Sequence, residues 1–275
     1  MAKKDSSHMV ASSDVKPVLL MPVGRGRVGK TVVGNTTAQY FRSRGATLRI
    51  WDMDRQTTSH GLASFHPDAE IPPSGGLADL AQWLEQKISE QALSIRAGRP
   101  FDALLGVGGG DLLVKKLAEE VRLVRTLERM GVRPVAMHVV GPDNADLDYL
   151  AQVVADELFL PAATLIVLNG GLVADGRSVA NAFTPILNHP ALVAAMGKGA
   201  KVVRFPELSP MRQVSEGRLL FEDAAAGKAP EAGEALSFFD QERVSIWWEE
   251  KVPAFFDGIN PLWMPTLPHH AEAAA

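Results

Sequence analysis

The chain has 275 residues, of which 46% are hydrophobic and 22% are charged, and this suits a globular protein of one large α/β domain or two small ones. Its net charge of −4 excludes a global field that draws the protein to nucleic acid, and the absence of cysteine excludes disulfides, thiolate metal sites and iron–sulfur clusters. No apolar run approaches the ~20 residues of a membrane-spanning helix.

Short β-type runs alternate with helical patterns along the chain. Strands are predicted at 16–22, 47–51, 103–107, 133–140, 163–168 and 201–205. Helices are predicted at 31–44, 76–97, 112–130, 145–158, 177–187, 211–221 and 237–256. Residues 1–15 and 266–275 are predicted to be disordered tails around a single domain over 16–265. This alternation predicts an α/β fold with a mostly parallel central sheet and helices on both faces.

A glycine-rich loop follows the first predicted strand and precedes the first predicted helix. Residues 24–31 read G-x-x-x-x-G-K-T, the phosphate-binding loop pattern in the strand–turn–helix context that it requires. Free N–H groups of the loop and of the helix start favour a phosphate chain there. We expect Lys30 to reach the outer phosphates and the Thr31 hydroxyl to hold Mg²⁺. The residues expected to bind the nucleotide here are Gly24, Gly26, Arg27, Val28, Gly29, Lys30, Thr31 and Val32.

The second predicted strand ends in two aspartates, Asp52 and Asp54. Carboxylates at a strand end beside a phosphate loop can hold metal-bound water or orient an attacking water. We expect Asp52 to serve the metal and Asp54 to position the water. The alternative for Asp54 is a carboxylate that belongs to the metal site or simply closes the strand.

The predicted helix over 112–130 carries basic residues on one face, namely Lys115, Arg122, Arg125 and Arg129. We interpret this face as solvated, with pairs to neighbouring glutamates, because charge runs more often serve solvation than recognition. The alternative is a basic stripe that binds DNA phosphates without sequence preference.

The last predicted helix has an amphipathic apolar pattern, in which Pro253 is expected to kink or restart the helix. Its polar side includes Glu249 and Glu250, whereas a membrane-surface helix carries Lys and Arg there. We therefore predict that the apolar side packs into the core, with a partner groove or dimer contact as the alternative. The apolar residues are Val244, Trp247, Trp248, Val252, Phe255, Phe256 and Ile259.

On the loop and the aspartates the chain resembles the ParA/MinD family of deviant Walker A ATPases. Residues 24–31 match the family's loop, and Asp52, Asp54 and Gln56 match its D-x-D-x-Q motif. The resemblance implies a P-loop nucleoside-triphosphatase fold of the SIMIBI type, ATP or ADP with Mg²⁺ as cofactors, and a homodimer that forms around ATP. The order of elements is closest to the plasmid-partition branch, including the TraL-type conjugal transfer ATPases. Asn169, Phe205, Pro206 and Glu207 look like the family's adenine contacts.

Two arginines depart from the family's loop. Arg25 stands where family members have a signature lysine that reaches the partner's nucleotide, so the resemblance implies an arginine finger acting in trans. Arg27 replaces the second glycine, and its side chain disfavours a left-handed backbone at that position. The alternative for both arginines is general attraction of phosphate without a contact in trans.

The third predicted strand also departs from the family pattern. Val107 stands where the family has an aspartate, and Asp111 follows four residues later, beyond three glycines. Either the glycine loop brings Asp111 to the metal site, or that carboxylate is absent. Since nucleotide binding depends on the phosphate loop, we expect slow or partner-activated ATP hydrolysis rather than lost binding.

The resemblance implies a nucleotide-switched ATPase that partitions or positions a cargo such as a plasmid or a conjugation complex. Its partners would be a second copy of the chain and a protein activator or cargo adaptor. A cytoplasmic location is expected. The alternatives are an interaction switch that binds nucleotide without hydrolysing it, and a P-loop small-molecule kinase.

Overall fold

The computed structural model of the chain describes residues 15–54, 61–108, 111–156, 160–174 and 176–268, with side chains in these ranges except at 111–113, 115 and 156. Gln56 of the predicted motif therefore lies outside the described residues. The described strands are β1 Val18–Val23, β2 Leu48–Asp52, β3 Asp102–Gly106, β4 Arg133–Val140, β5 Ala163–Asn169 and β6 Lys201–Phe205. They form one sheet in the order β2-β3-β1-β4-β5-β6, and every neighbouring pair is parallel.

All strands lie where the sequence predicts them, within two residues at each end, because most of them are buried on both faces. Every residue of β1 is buried, and the same holds for β5. A strand covered on both sides has a continuous apolar sequence, and this pattern is visible in the sequence alone. The predicted α/β fold with a parallel central sheet is confirmed.

Helices cover both faces of the sheet. Within the described residues they are α1 Lys30–Ser43, α2 Leu77–Arg96, α3 Asp111–Val121, α4 Leu123–Arg129, α5 Asn144–Asp156, α6 Val179–Leu187, α7 Pro190–Gly197, α8 Met211–Glu216, α9 Phe221–Ala225, α10 Phe238–Ile246 and α11 Val252–Asp257. One face packs against α1 and α8–α11, and its core includes Leu20 and Ile50. The other face packs against α2–α7, and its core includes Leu19, Trp51 and Ile166. No helix in the described ranges is long and apolar enough to cross a membrane.

The sheet order places the first strand at the centre. β1 lies between β3 and β4, and the chain moves to one side of it for β2 and β3 and to the other side for β4–β6. Loops that follow neighbouring strands diverge at such a reversal, and they leave a crevice at the carboxyl edge of the sheet. The glycine loop after β1 therefore opens into this crevice.

The predicted helix over 112–130 is wrong as a single element, because it breaks at Arg122. This residue has a left-handed backbone (φ 48°) and separates α3 from α4. Such a backbone costs a non-glycine residue about 1–2 kcal/mol. The break buries Leu123 and Leu127, whereas Val121 stays exposed. Packing of the two leucines accounts for the break.

Two other predicted helices differ from the structure, and one helix was not predicted. The helix predicted at 211–221 is divided into α8 and α9, and Arg218 between them has φ 51°. The predicted helix at 177–187 begins later, as α6, and α7 beyond it was not predicted. Helix α7 has a recognisable start, since Pro190 occupies its first turn and the His189 ring caps the Ala191 N–H.

The C-terminal helix passes Pro253 without a sharp break. A π-helical turn, Trp247–Lys251, joins α10 to α11. A π-helical turn is one way in which a helix adapts to a proline, whose nitrogen has no hydrogen to donate to the preceding turn. The predicted core packing is confirmed, because all seven apolar residues of the predicted pattern are buried.

A buried carboxylate at the start of β3 forms hydrogen bonds with two segments that lie far apart in the sequence. Asp102 accepts hydrogen bonds from the Val18 N–H at 2.7 Å and from the Thr266 N–H at 2.8 Å. Burial raises the pKa of Asp102 to about 6, although the two N–H donors oppose the rise. Residues 266–268 are thus part of the packed structure, beyond the predicted boundary at 265. Of the predicted tails, residues 1–14 and 269–275 lie outside the described residues.

A chain of buried polar groups runs along α1. The Asn35 side-chain oxygen lies 3.0 Å from both His66 Nε2 and Gln39 Nε2, and the Gln39 oxygen accepts the Phe221 N–H at 2.8 Å. Burial lowers the pKa of His66 to about 4, and the nearby Arg42 guanidinium adds to this effect. The imidazole is therefore neutral in the folded protein at pH 7.

Replacing His66 by glutamine is expected to reduce the amount by which the unfolding free energy falls on acidification. The pKa of His66 is lower in the folded chain than in the unfolded chain, so acidification favours the unfolded state. Between pH 7 and pH 5 the wild type should lose about 2 kcal/mol more of its unfolding free energy than His66→Gln. Asp102 has the opposite effect over part of this range, but it is common to both proteins. Urea unfolding at several pH values measures the difference, and parallel profiles would contradict the prediction.

Candidate functional site

The loop between β1 and α1 depends on left-handed backbone at three positions. Gly24 has φ 141°, Arg27 has φ 66° and Gly29 has φ 92°. A Cβ on Gly24 would lie 2.6 Å from the Val139 carbonyl oxygen, so only glycine fits against β4 there. Arg27 adopts the conformation that its side chain disfavours, so the replacement of the family's glycine leaves this turn of the loop intact.

The Lys30 side chain folds back into the loop. Its ammonium group donates hydrogen bonds to the Gly24 carbonyl at 2.7 Å and to the Arg25 carbonyl at 3.0 Å. The first N–H groups of α1, which include that of Thr31, have no acceptor within the helix. A cation beside the N–H groups of a helix start is an arrangement that can receive an anionic oxygen, and phosphate binding at this loop stays a prediction.

Asn169 anchors the loop from the end of β5. Its amide nitrogen donates to the Val28 carbonyl at 2.9 Å, and its oxygen accepts the Gly171 N–H at 3.0 Å. A Cβ on Gly29 would overlap this amide, so the close approach requires glycine. The structure therefore gives Asn169 a positioning role in the loop, which the sequence analysis missed. Its contact with adenine stays a prediction.

Asp52 is buried at the end of β2 and organises the chain that follows. One carboxylate oxygen accepts the Asp54 N–H at 3.0 Å, and the other accepts the Ala63 N–H at 2.8 Å. Burial raises the pKa of Asp52, and the two backbone donors oppose the rise. This carboxylate therefore fixes the backbones of Asp54 and Ala63 relative to each other.

Glycines at the end of β3 make room for both aspartates. A Cβ on Gly106 would lie 2.9 Å from an Asp52 oxygen, and a Cβ on Gly108 would lie 2.5 Å from an Asp54 oxygen. Val107 between them is buried and brings no carboxylate. The side chain of Asp111 lies outside the described residues. The structure thus brings the carboxylates of Asp52 and Asp54 against the end of β3.

Four of the predicted site residues, Lys30, Thr31, Asp52 and Asp54, line one small cleft. Its volume is about 10 Å³, roughly the space of one water molecule. Within the described ranges, no group of three or more His, Asp or Glu could hold a metal ion by itself. Mg²⁺ in nucleotide enzymes typically takes one or two protein oxygens together with phosphate oxygens and water, so this donor set fits a metal carried by a nucleotide. The cleft is lined by Pro22, Lys30, Thr31, Asp52, Asp54, Gly61, Leu62, Gly106 and Val107.

Arg25 lies against its own subunit. Its guanidinium is 3.3 Å from an oxygen of Asp146 and 4.0 Å from an oxygen of Asp143, both near the start of α5. Asp146 is buried and also accepts the Gly141 N–H at 3.0 Å. About half of the Arg25 side chain is exposed, so it would have to leave these carboxylates to reach a second subunit.

A larger cleft opens beside the end of β6. Its volume is about 460 Å³, and its lining consists of Val179, Arg204, Phe205, Pro206, Glu207, Ser209 and Lys251. The Phe205 ring is buried, with ring centroids 6.0 Å from Trp247 and 5.4 Å from Phe255. The Pro206 carbonyl accepts the Trp247 indole N–H at 3.1 Å. The ring of Phe205 is therefore part of the core, and Pro206 and Glu207 remain as candidates for base contacts.

The alternative of a DNA-binding basic stripe on the helix predicted at 112–130 gains no support from the structure. Arg122, Arg125 and Arg129 are exposed, and the side chain of Lys115 lies outside the described residues. Because the helix breaks at Arg122, a spacing of seven residues no longer places Lys115 and Arg122 on one face.

Comparisons with known proteins give structural neighbours only. No protein-family model matches the chain, and no curated protein sequence matches it. Among solved structures, the MinC:MinD cell division protein complex of Aquifex aeolicus is similar at 10% identity and a TM-score of 0.43, over 85% of this chain and 96% of that chain. The MinD cell division protein of Aquifex aeolicus is similar at 12% identity and a TM-score of 0.43, over 82% of this chain and 95% of that chain. Likeness at this level assigns no function.

Replacing Asn169 by alanine is expected to destabilise the protein through the loop. The change leaves the buried Val28 carbonyl without its donor, at a cost of about 1–3 kcal/mol in unfolding free energy. Asn188→Ala is the matched control, because the Asn188 amide bonds an exposed helix carbonyl, and it should cost no more than about 0.5 kcal/mol. Urea unfolding of both variants measures the difference. Equal losses would show that the Asn169 hydrogen bond does not hold the loop.

Proposed function

We propose that this protein is a nucleotide-switched ATPase of the ParA/MinD type, which binds ATP with Mg²⁺ and dimerises around it. One observation supports this proposal above the others. The Lys30 side chain folds back into the glycine loop at the carboxyl end of the central strand β1. Thr31, Asp52 and Asp54 line the same cleft as Lys30. This set combines a cation for phosphate with oxygen ligands for a metal at the edge where parallel sheets bind nucleotides.

The loop binds the phosphate chain through groups already in position. Lys30 exchanges its hydrogen bonds with the Gly24 and Arg25 carbonyls for phosphate oxygens, and the N–H groups at the start of α1 donate to the same anion. The Asn169 amide holds the Val28 carbonyl and so keeps the loop open toward the crevice. Pro206 and Glu207 line the larger cleft that would receive the base.

Thr31 and Asp52 would hold the metal, the first through its hydroxyl and the second directly or through a bound water. Mg²⁺ bound there would neutralise phosphate charge in the transition state. Asp52 is suited to this role because the backbone N–H groups of Asp54 and Ala63 fix the orientation of its carboxylate.

Asp54 would orient the attacking water. Its carboxylate lines the small cleft and lies against Gly108, so it faces the same space as Lys30 and Thr31. Val107 brings no carboxylate to the end of β3, and we therefore propose that hydrolysis is slow or requires a protein activator. The same observation favours one alternative, an interaction switch that binds the nucleotide without hydrolysing it.

Arg25 would complete the site of a second subunit as an arginine finger. Its exposed guanidinium forms bidentate contacts with phosphate more readily than a lysine does. To act in trans it must exchange Asp143 and Asp146 of its own subunit for the partner's nucleotide, so dimerisation competes with these ion pairs.

The cargo belongs to the proposal through family resemblance alone. A plasmid or a conjugation complex, with a protein adaptor, fits the plasmid-partition and TraL-type branch that the order of elements resembles. A cytoplasmic location stays a prediction, and so does nonspecific DNA binding through Lys115, Arg122, Arg125 and Arg129.

Replacing Lys30 by alanine is expected to weaken binding of ATP with Mg²⁺ by at least about tenfold, because a charge-assisted contact to phosphate is lost. Calorimetric titration with ATP, ADP and GTP, each with and without Mg²⁺, measures the affinity and the preference for the base. Lys201→Ala is the matched control, since Lys201 is exposed at the amino end of β6, away from the loop. The proposal would be contradicted if the wild type did not bind ATP, or if Lys30→Ala bound it with unchanged affinity.

Replacing Asp54 by asparagine is expected to slow release of phosphate from bound ATP by about 100-fold or more, with little change in ATP affinity, because only the orientation of water is lost. Single-turnover phosphate release measures the rate, and light scattering on the same samples follows the ATP-dependent dimer, which should persist longer in the variant.

Asp223→Asn is the control, because Asp223 pairs with Lys228 away from the crevice. If Asp54→Asn hydrolysed ATP at the wild-type rate, Asp54 would have no role in orienting the water. Tight ATP binding with no phosphate release by the wild type would instead establish the nonhydrolysing switch.

A further inference from the structure

Two phenylalanines at the start of α10 are unusually exposed. Phe238 is 87% exposed and Phe239 is 79% exposed, and Ile246 lies on the same side of the helix at 40%. Burying a Phe side chain contributes about 1.5–3 kcal/mol, so their exposure forgoes a substantial stabilisation. In the described part of the chain, neither ring stacks on another aromatic ring. The fold therefore derives little from these two rings.

The exposure is set by the helix and not by a frayed end. Ser237 caps α10, since its hydroxyl oxygen accepts the Asp240 N–H at 3.2 Å. The opposite side of α10 is fixed by Val244 and Trp247, which are fully buried. With the inner side held in the core, the helical spacing turns Phe238 and Phe239 outward.

The surroundings of the two rings are acidic. Residues 221–251 contain eight carboxylates and three basic side chains, a net charge of −5 in a chain whose total is −4. Asp240 pairs with Arg243 at 2.6 Å, and Asp223 of the adjoining α9 pairs with Lys228 at 3.0 Å. These pairs neutralise two of the three basic groups. Three glutamates are exposed, namely Glu242 on α10 and Glu249 and Glu250 in the π-helical turn that continues it. We use 'outer side of α10' for the outer side of both.

We infer that the outer side of α10 is a docking surface for a cationic amphipathic segment of a partner protein. The surface consists of Phe238, Phe239, Glu242, Ile246, Glu249 and Glu250. Apolar side chains of the partner would cover the two rings, and its lysines or arginines would face the glutamates. This inference goes beyond the proposed ATPase activity and does not depend on it, because the surface uses none of the nucleotide-binding residues.

Charge decides between this occupant and the others. DNA, RNA and anionic lipid would bring negative charge to a surface that carries the same sign. A second copy docked through this surface would place the same glutamates opposite one another about a twofold axis. A cationic protein segment is the occupant whose charge complements the rim and whose apolar residues complement the rings.

Fluorescence anisotropy with a labelled amphipathic peptide of Leu and Lys tests the inference, with a Leu/Glu peptide of equal length as the charge control. The wild type is expected to bind the Leu/Lys peptide saturably at physiological salt and to ignore the Leu/Glu peptide. The double variant Phe238→Ser/Phe239→Ser should bind at least about tenfold more weakly, as for loss of central aromatic contacts. Glu242→Gln/Glu249→Gln/Glu250→Gln should also weaken binding and reduce its dependence on salt.

Leu93→Ser and Val193→Ser are matched controls, because both residues are apolar and exposed on other helices, and both should bind as the wild type does. Lys30→Ala should also keep full peptide binding, so failure of the proposed nucleotide site is distinguishable from failure of this surface. Thermal unfolding checks that each variant is folded. The inference would be overturned if Phe238→Ser/Phe239→Ser bound the Leu/Lys peptide as tightly as the wild type, or if the wild type bound both peptides equally well. It would also be overturned if that variant lost self-association or vesicle binding but still bound the peptide.

Discussion

The hydrogen bond from the Asn169 amide to the Val28 carbonyl joins the glycine loop to a strand that is not adjacent to β1 in the sheet. A loop with left-handed backbone at Gly24, Arg27 and Gly29 is costly to hold unless its surroundings fix it. Asn169 supplies that restraint from the far side of β4, and the Lys30 ammonium supplies another from within the loop. The position of the loop in the crevice, and with it the arrangement of the cleft, depends on these contacts.

The sequence predicts the strands well and the helix breaks poorly, for different physical reasons. A strand covered on both faces must be apolar along its whole length, and that pattern is local. The breaks at Arg122 and Arg218 are set by what the following residues bury, since arginine has no intrinsic preference for a left-handed backbone. The start of α7 is different, because Pro190 after a capping residue is a local sequence signal for a helix start.

The same division applies to the candidate site. The phosphate loop is continuous in the chain, so its residue types and spacing define it. The space for Asp52 and Asp54 depends on Gly106 and Gly108, which lie more than fifty residues away in the chain and meet the aspartates only through the pairing of β2 with β3. Position 107 by itself shows only a valine where the resemblance implies a carboxylate. The glycines around it, which admit the carboxylates of the neighbouring strand, require knowledge of that pairing.

Asp102 gives the fold a property that neither segment bonded to it would have alone. One carboxylate accepts the N–H of Val18, where the first strand begins, and the N–H of Thr266, near the last of the described residues. Release of either segment deprives this carboxylate of a donor while it is still enclosed, and an enclosed anion without donors is costly. The segments that contain Val18 and Thr266 are therefore expected to unfold together, as one cooperative unit, and not one before the other.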